Sequence, residues 1–506
     1  MNFLELSNLR KNKIYLVFYI FLFLSFIFSS VIFFYYYKYQ ISPDTVEYIQ
    51  IALKYSSGNF GEVVNGYRSP LFSILLVPFI KLGIDPLIST KILNIILGFI
   101  LLIILRKTAI LLKIEEKIRL LISFFLIPIL MFCLFSYMTP DVLSAIFIIL
   151  AFNLIIDDSL NYNKLKGIYF GIIAGFGFLT KAFNLYFLVF ILTLICLIEF
   201  LVKKEKRKEI LIIYSIAIGV TLLISIPWIT LLSLKYHRLT FTTVGNWNYL
   251  LLGQDPQKIQ EITNHLHPIN SKSGFVLDDG LILASKFEKW FDLNFLIKNS
   301  FMNIKSTLRF LDKIYLTIFS LIFLIVYKRR DYLNSFKIYA FYILYIFGYS
   351  LLYYEDRFFY PLMFLGFLIC ISILLTFKNK LYKFFLYILI LLIAYSFLNF
   401  SINYLKNTAL SRPGLQYYIM GQEVQKLDIK GNIAASGSGR TVMYITYYNR
   451  ENLRYFGTTK TIEELSEYDI DYYFIDKDDL EIIGQIGLDP GDFAGKVNNF
   501  YIYKLK

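Results

Sequence analysis

The chain has 506 residues, of which 57% are hydrophobic and only 17% charged, with a mean hydropathy of +0.58. Soluble domains carry about 25% charged residues, and here the apolar excess falls in long runs. An ordinary cytosolic enzyme and a disordered chain are both excluded, and a multi-spanning membrane protein is expected. Residues 403–506 hold 12 Lys and Arg against 14 Asp and Glu, so of the net charge of +14 they carry −2 and the first 402 residues +16. There the basic residues form short clusters between apolar spans, not a nucleic-acid-binding face. Cys133, Cys196 and Cys370 lie inside apolar runs and make neither a disulfide framework nor a CxxC site.

The first apolar run, Ile14 to Tyr37, is long enough to stay as a helix and is no cleavable signal peptide. Eleven stretches reach the roughly 17–25 apolar residues that a crossing needs. They lie near 14–36, 87–105, 117–137, 141–157, 165–181, 183–201, 210–233, 313–328, 337–354, 358–376 and 382–402. Basic clusters at Arg10–Lys13, Arg106–Arg119, Lys203–Lys208, Lys328–Arg330 and Lys378–Lys383 alternate with connections almost lacking Lys and Arg. The N-terminus is then cytoplasmic and residues 403–506 lie outside a plasma or inner membrane. Residues 69–83 hold Pro78 and Lys81, and a twelfth crossing there would invert every later loop. They are expected to lie on the outer interface. The domains expected are a transmembrane part, 1–402, with outer loops 38–86 and 234–312, and a soluble outer part, 403–506.

The first outer loop opens with Ser42-Pro43-Asp44-Thr45-Val46-Glu47. Pro43 and Asp44 suit a helix start, which puts Asp44 and Glu47 on one face as a general base, a cation site, or simply a cap with a solvated partner. Tyr67-Arg68-Ser69-Pro70 then offers a guanidinium for a lipid phosphate, or an interfacial anchor. Asp141, in Thr139-Pro140-Asp141, is a carboxylate nearly at membrane depth and functional by default. Lys181 falls in the turn between two spans and either snorkels or holds an anion near Arg68. Further on come Pro227-Trp228, His237 and the run Tyr354-Glu355-Asp356-Arg357-Phe358-Phe359-Tyr360-Pro361. His265-Leu266-His267 is at most half a metal site, since no third ligand is evident.

Taken in order across about residues 14–376, these motifs resemble the polytopic glycosyltransferases of the C-type fold, in particular the protein mannosyltransferases and the bacterial aminoarabinose transferases. The matched elements are Asp44 with Glu47, Arg68 before an interfacial helix, Asp141 opening a span, the Leu179-Thr180-Lys181 turn, Pro227-Trp228, and Arg357 to Pro361. Glu47 stands three residues from Asp44, a wider spacing than the tight acidic pair common in the mannosyltransferases.

The resemblance implies an inverting transfer of a hexose or pentose from a polyprenyl-phosphate donor to a glycan, lipid or protein acceptor on the outer face. Asp44 is then the expected base, with Asp141 orienting acceptor or sugar and Glu47 nearby. Arg68, Lys181 and Arg357 would hold the donor phosphate, and Tyr67, Trp228, His237 and Tyr360 would contact substrate. No metal site is assigned, and a divalent cation is left open.

From about residue 413 the pattern becomes that of an α/β module. Asn432–Ala435, Arg454–Phe456, Tyr472–Asp476 and Phe500–Lys504 read as strands, and 439–448 and Thr461–Tyr468 as helices. Ser436-Gly437-Ser438-Gly439-Arg440 sits where a phosphate loop would, but lacks GxGxxG spacing, so an ordinary turn is favoured. The module would bind acceptor or pack on the membrane part. A lipid or sugar transporter or flippase is the competing reading. It predicts mid-span charges and repeated broken helices, neither of which the sequence shows. A receptor or scaffold leaves Asp141 and Lys181 unexplained.

Overall fold

The computed structural model describes residues 3–157, 162–245, 293–313, 332–351, 354–375 and 412–505, with residues 248, 266, 384, 395, 399 and 403 singly. The expected crossings 313–328 and 382–402, and the His265 and His267 pair, lie largely or wholly outside these residues.

The helices follow the apolar runs. They are α1 Phe3–Tyr36, α2 Pro43–Ser56, α3 Leu71–Lys81, α4 Pro86–Leu111, α5 Glu116–Ser136, α6 Asp141–Ile156, α7 Lys164–Thr180, α8 Ala182–Val202 and α9 Arg207–Tyr236. Then come α10 Leu293–Lys313, α11 Tyr332–Ser350 and α12 Tyr360–Leu374. Among the described residues, five helical segments are long and apolar enough to cross a membrane: Tyr15–Tyr36, Pro86–Leu111, Glu116–Ser136, Ala182–Val202 and Lys204–Tyr236. On α1 the large side chains Leu16, Phe21, Phe28 and Val31 stay exposed, as suits a face turned to lipid. Helix α7 lies tight against α9 because Gly167, Gly171 and Gly175 recur every four residues along it. A Cβ on Gly171 would meet the Ala217 carbonyl oxygen at 2.7 Å, so only glycine permits this approach.

One end of the bundle is tied together by caps. Ser42 caps α2, its Oγ accepting from the Thr45 N–H at 3.2 Å, with Pro43 pre-set in the first turn. The Thr45 hydroxyl donates to the Tyr137 carbonyl at 2.6 Å and the Gln40 amide to the Ser136 carbonyl at 2.9 Å, so the entry of α2 satisfies the orphan carbonyls at the end of α5. Ser73 of α3 donates to the Tyr48 carbonyl of α2 at 2.8 Å, and Phe72, Ser73 and Leu76 are buried between α2 and α4.

The C-terminal residues fold as α13 Leu415–Lys426, β1 Gly431–Ala435, α14 Gly439–Tyr448, β2 Leu453–Thr458, α15 Ile462–Glu467, β3 Tyr472–Asp476, α16 Glu481–Ile486, β4 Phe493–Val497 and β5 Phe500–Lys504. The sheet order is β2-β1-β3-β5-β4, with β2, β1 and β3 parallel and β4 and β5 antiparallel. This module docks on the segment around α2. Arg450 pairs with Asp85 at 3.0 Å, Tyr418 lies on Tyr39 with ring centres 4.6 Å apart, and a Cβ on Gly414 would stand 1.9 Å from the Tyr39 carbonyl oxygen.

Candidate active site

Five separate segments deliver charged side chains to one place at this end of the bundle. Helix α2 brings Asp44 and Glu47. Asn65 makes an Asx turn, its Oδ1 accepting from the N–H groups of Tyr67 at 2.8 Å and Arg68 at 2.7 Å, which fixes the Arg68 backbone. The end of α9 clamps the same loop: Lys235 donates to the Val64 carbonyl at 2.7 Å and the Gly66 N–H to the Tyr236 hydroxyl at 3.0 Å. Asp141 opens α6 and accepts from the Thr139 hydroxyl. Lys181 joins α7 to α8, where Asn184 bonds Ser144 of α6 and the Gly177 carbonyl at 3.0 Å each and so holds the turn over Asp141. Arg357 sits in a 3₁₀ turn, Asp356–Phe359, just before α12.

The result is an unbroken alternation of charge. Arg68 Nε meets Glu47 Oε2 at 2.7 Å and its Nη2 meets Asp44 Oδ1 at 2.6 Å. Arg357 Nη2 takes the other Asp44 oxygen at 2.7 Å, and its Nε lies 3.9 Å from Asp141 Oδ2. Lys181 pairs with the remaining Asp141 oxygen. The order is Glu47, Arg68, Asp44, Arg357, Asp141, Lys181, with no net charge. The cations also rest on rings: Arg68 lies 4.4 Å from the centre of Tyr67, Arg357 4.9 Å from Tyr137, and Lys181 4.1 Å from Phe358.

Burial alone would raise the Asp44 carboxyl, but Arg68 and Arg357 together hold it well below the usual carboxylate range. Burial works against both guanidinium charges too, and the carboxylates outweigh it, so Arg68 and Arg357 are held above their ordinary value. Arg357 Nε is buried with no hydrogen-bond partner, a directed donor left between Asp44 and Asp141. Among the described residues, no group of three or more His, Cys, Asp and Glu side chains is placed to hold a metal ion.

Six of the residues expected from sequence therefore converge, with Tyr67 beneath one of them. Three others do not join the alternation. Trp228 is buried among Phe178, Leu185 and Ile229, so it packs the bundle. His237 caps the end of α9 in the left-handed conformation, exposed. Tyr360 is buried with its ring edge-on to Phe132. Arg68 and Lys181, expected as neighbouring phosphate ligands, are instead joined through Asp44, Arg357 and Asp141. Their charges are matched, not bare. Tyr137 was missed, and Thr139 was read only as part of the Asp141 motif. Phe358, beside Arg357 in sequence, was the more legible of the ring partners.

The fold and site together define a class: a polytopic helical membrane protein with a buried, charge-balanced cluster at one end, beneath a docked α/β module. No protein-family model matches the sequence, and no curated protein matches it. In fold the chain is similar to ArnT from Cupriavidus metallidurans, in crystal structures bound to undecaprenyl phosphate and in the apo state. The TM-scores are 0.57 and 0.56 at 12% and 11% identity, covering 95% and 96% of this chain and 97% of each of those chains. At that identity the likeness is one of fold, and it runs through both the bundle and the C-terminal module.

Proposed function

We propose that this chain is a membrane glycosyltransferase that moves a sugar from a polyprenyl-phosphate donor to a protein, lipid or polysaccharide acceptor on the outer face of the membrane. The observation that carries the reading is the convergence of Asp44, Glu47, Arg68, Asp141, Lys181 and Arg357 into one contiguous site. It is supported by a fold shared with a protein that was solved holding undecaprenyl phosphate.

In the proposed step the bond from the anomeric carbon to the donor phosphate breaks, and its electron pair leaves with the phosphate. Arg357, Arg68 and Lys181 stabilise the charge that gathers there. The acceptor oxygen bonds to the anomeric carbon from the opposite side, and its proton passes to Asp44. A weakly basic carboxylate suffices, because the acceptor hydroxyl becomes strongly acidic only as the new bond forms. Asp141 orients the incoming groups, and Glu47 holds the Arg68 fork in place.

The same reading includes eleven crossings, a cytoplasmic N-terminus and residues 403–506 outside. At about 1.5 Å per residue α3 is only about 16 Å long, half of a roughly 30 Å hydrocarbon core, which favours an interfacial place for it. The test is retention of undecaprenyl phosphate by the full chain in nanodiscs, read by native mass spectrometry, beside envelope glycan profiles of a deletion strain. Retention together with a missing glycan is expected. A chain that retains no polyprenyl phosphate would overturn the proposal.

A further inference from the structure

The C-terminal module carries a cavity of its own, which no residue of the alternating cluster lines. It has a volume of about 150 Å³ and lies at the carboxyl ends of β1 and β3. In an open parallel sheet this is the switch point, where the connections leave in opposite directions and a crevice opens. Here β1 runs through α14 to β2 on one side, while β3 has β5 on the other. The β4–β5 hairpin closes the crevice with Asn498 and Asn499.

The lining chemistry decides what fits. Ser438 and Thr441 supply hydroxyls, Asn498 and Asn499 amides, Asp476 a buried carboxylate, and Tyr417 a ring. Asp476 accepts from the Ser438 hydroxyl, and the Asp479 carboxylate accepts from the Ser436 hydroxyl at 2.9 Å. Asp479 is already paired with Lys460, so it is the Asp476 carboxylate, lining the cavity where a phosphate would otherwise meet the start of α14, that disfavours an anion. A neutral polyol fits: a carboxylate and side-chain amides match vicinal hydroxyls, and an aromatic face covers C–H bonds. The volume is that of about five waters at ~30 Å³ each, room for one sugar ring.

Two further observations point the same way. Ser438 and Asn498 both take the left-handed conformation, at φ 49° and 51°, and both line this one cavity. Asparagine enters this conformation readily and suits the β4–β5 turn, so of the two only Ser438 is strained by it. The cavity is also linked to the ion cluster. Tyr417 packs on Tyr444 with ring centres 4.6 Å apart, and the Asp44 carboxylate lies near enough to help burial raise the Tyr444 phenol.

The geometry points to this cavity as a carbohydrate subsite that holds a neutral sugar unit of the acceptor. The inference rests on the proposed glycosyltransferase function. The probes are the methyl glycosides of glucose, galactose, mannose and N-acetylglucosamine, with inorganic phosphate as the comparison anion. Each is titrated into the full chain in nanodiscs and read by saturation-transfer difference NMR.

At least one glycoside is expected to bind in the millimolar range. Asn498→Gly, which keeps the left-handed backbone and deletes the amide, should weaken it about tenfold without moving the unfolding temperature. Asn499→Ala supplies a second variant should the hairpin fail to fold. Saturating undecaprenyl phosphate should leave glycoside binding unchanged. The inference is overturned if no glycoside binds, if both folded variants bind as the parent does, or if inorganic phosphate or the polyprenyl phosphate displaces the glycoside. Because undecaprenyl phosphate is measured separately, loss of glycoside binding alone sinks the subsite, whereas loss of polyprenyl phosphate binding alone sinks the function it rests on.

Discussion

Replacing Asp44 with asparagine changes the site in two opposite ways, and the structure sets the size of each. The carboxylate accepts from Arg68 at 2.6 Å and from Arg357 at 2.7 Å. An amide of the same shape can offer its oxygen to only one of them and must turn its NH₂ donors toward the other. Each ion pair is worth about 4 kcal/mol at roughly 4 Å and an effective dielectric of about 20. Most of that gain is offset by the desolvation of a largely buried group, so a net destabilisation of about 3 kcal/mol is expected.

The charge of the site meanwhile moves from zero to +1, which favours an incoming phosphate. Asp44→Asn should therefore keep or tighten binding of undecaprenyl phosphate while cutting transfer about 10²–10⁴-fold through loss of the base. Binding is read by native mass spectrometry in nanodiscs. Transfer is read as recovery of the glycan lost from a deletion strain when the variant is expressed at parental abundance. Full recovery of that glycan would reduce Asp44 to a structural partner of Arg68 and Arg357. Loss of polyprenyl phosphate binding would refute the charge argument itself.

Lys181→Ala should cost about 2–3 kcal/mol, because it removes the nearest cation from the buried Asp141 and leaves it only Arg357 at 3.9 Å and the Thr139 hydroxyl. The double variant Asp141→Asn with Lys181→Met should recover much of that stability in a detergent melt but none of the glycan. For pH, the folded value of Asp44 lies below its unfolded value of about 3.9, so its contribution to stability is complete above that value and fades as pH falls below it. Activity between pH 5 and 8 should show no acid limb from this group, and a limb that Asp44→Asn removes would contradict the assignment. An alkaline phosphatase fused after Lys506 should be active outside the cytoplasm, and a fusion active only inside would reverse the proposed topology.

Much of the helical part was legible because its signal is coarse. The stretches 87–105 and 117–137 return as α4 and α5 with shifted ends, since apolar runs and basic flanks fix a span without fixing its last turn. In the module, Tyr472–Asp476 and Phe500–Lys504 match their strands end to end, each a Tyr, Phe and Ile run bounded by polar residues. Helix α13 and strand β4 were not seen. In α13 only Met420, Gly421 and Val424 are buried, and Val497 is the lone buried residue of β4, so neither prints a clear period.

The composition of the site could be read, but its pairing could not. Asp44 and Arg357 are more than three hundred residues apart, and nothing local in either motif says that one will neutralise the other. Sequence reasoning thus assigned free cations to a phosphate where the fold supplies them already matched.

A site whose cations are already matched behaves as an ion exchanger, not as an open anion trap. On the proposed reading, a phosphate can enter only by displacing a carboxylate from a guanidinium, and the buried Arg357 Nε donor marks one place where that exchange could start. Chloride, sulfate and free phosphate gain little from such a trade, because they bring no hydrocarbon to offset the carboxylate they dislodge. A polyprenyl chain does. The empty protein would then stay quiet in a salt-rich exterior, answering to an anion only when a lipid delivers it, and its affinity for undecaprenyl phosphate should vary less with ionic strength than that of an exposed basic patch.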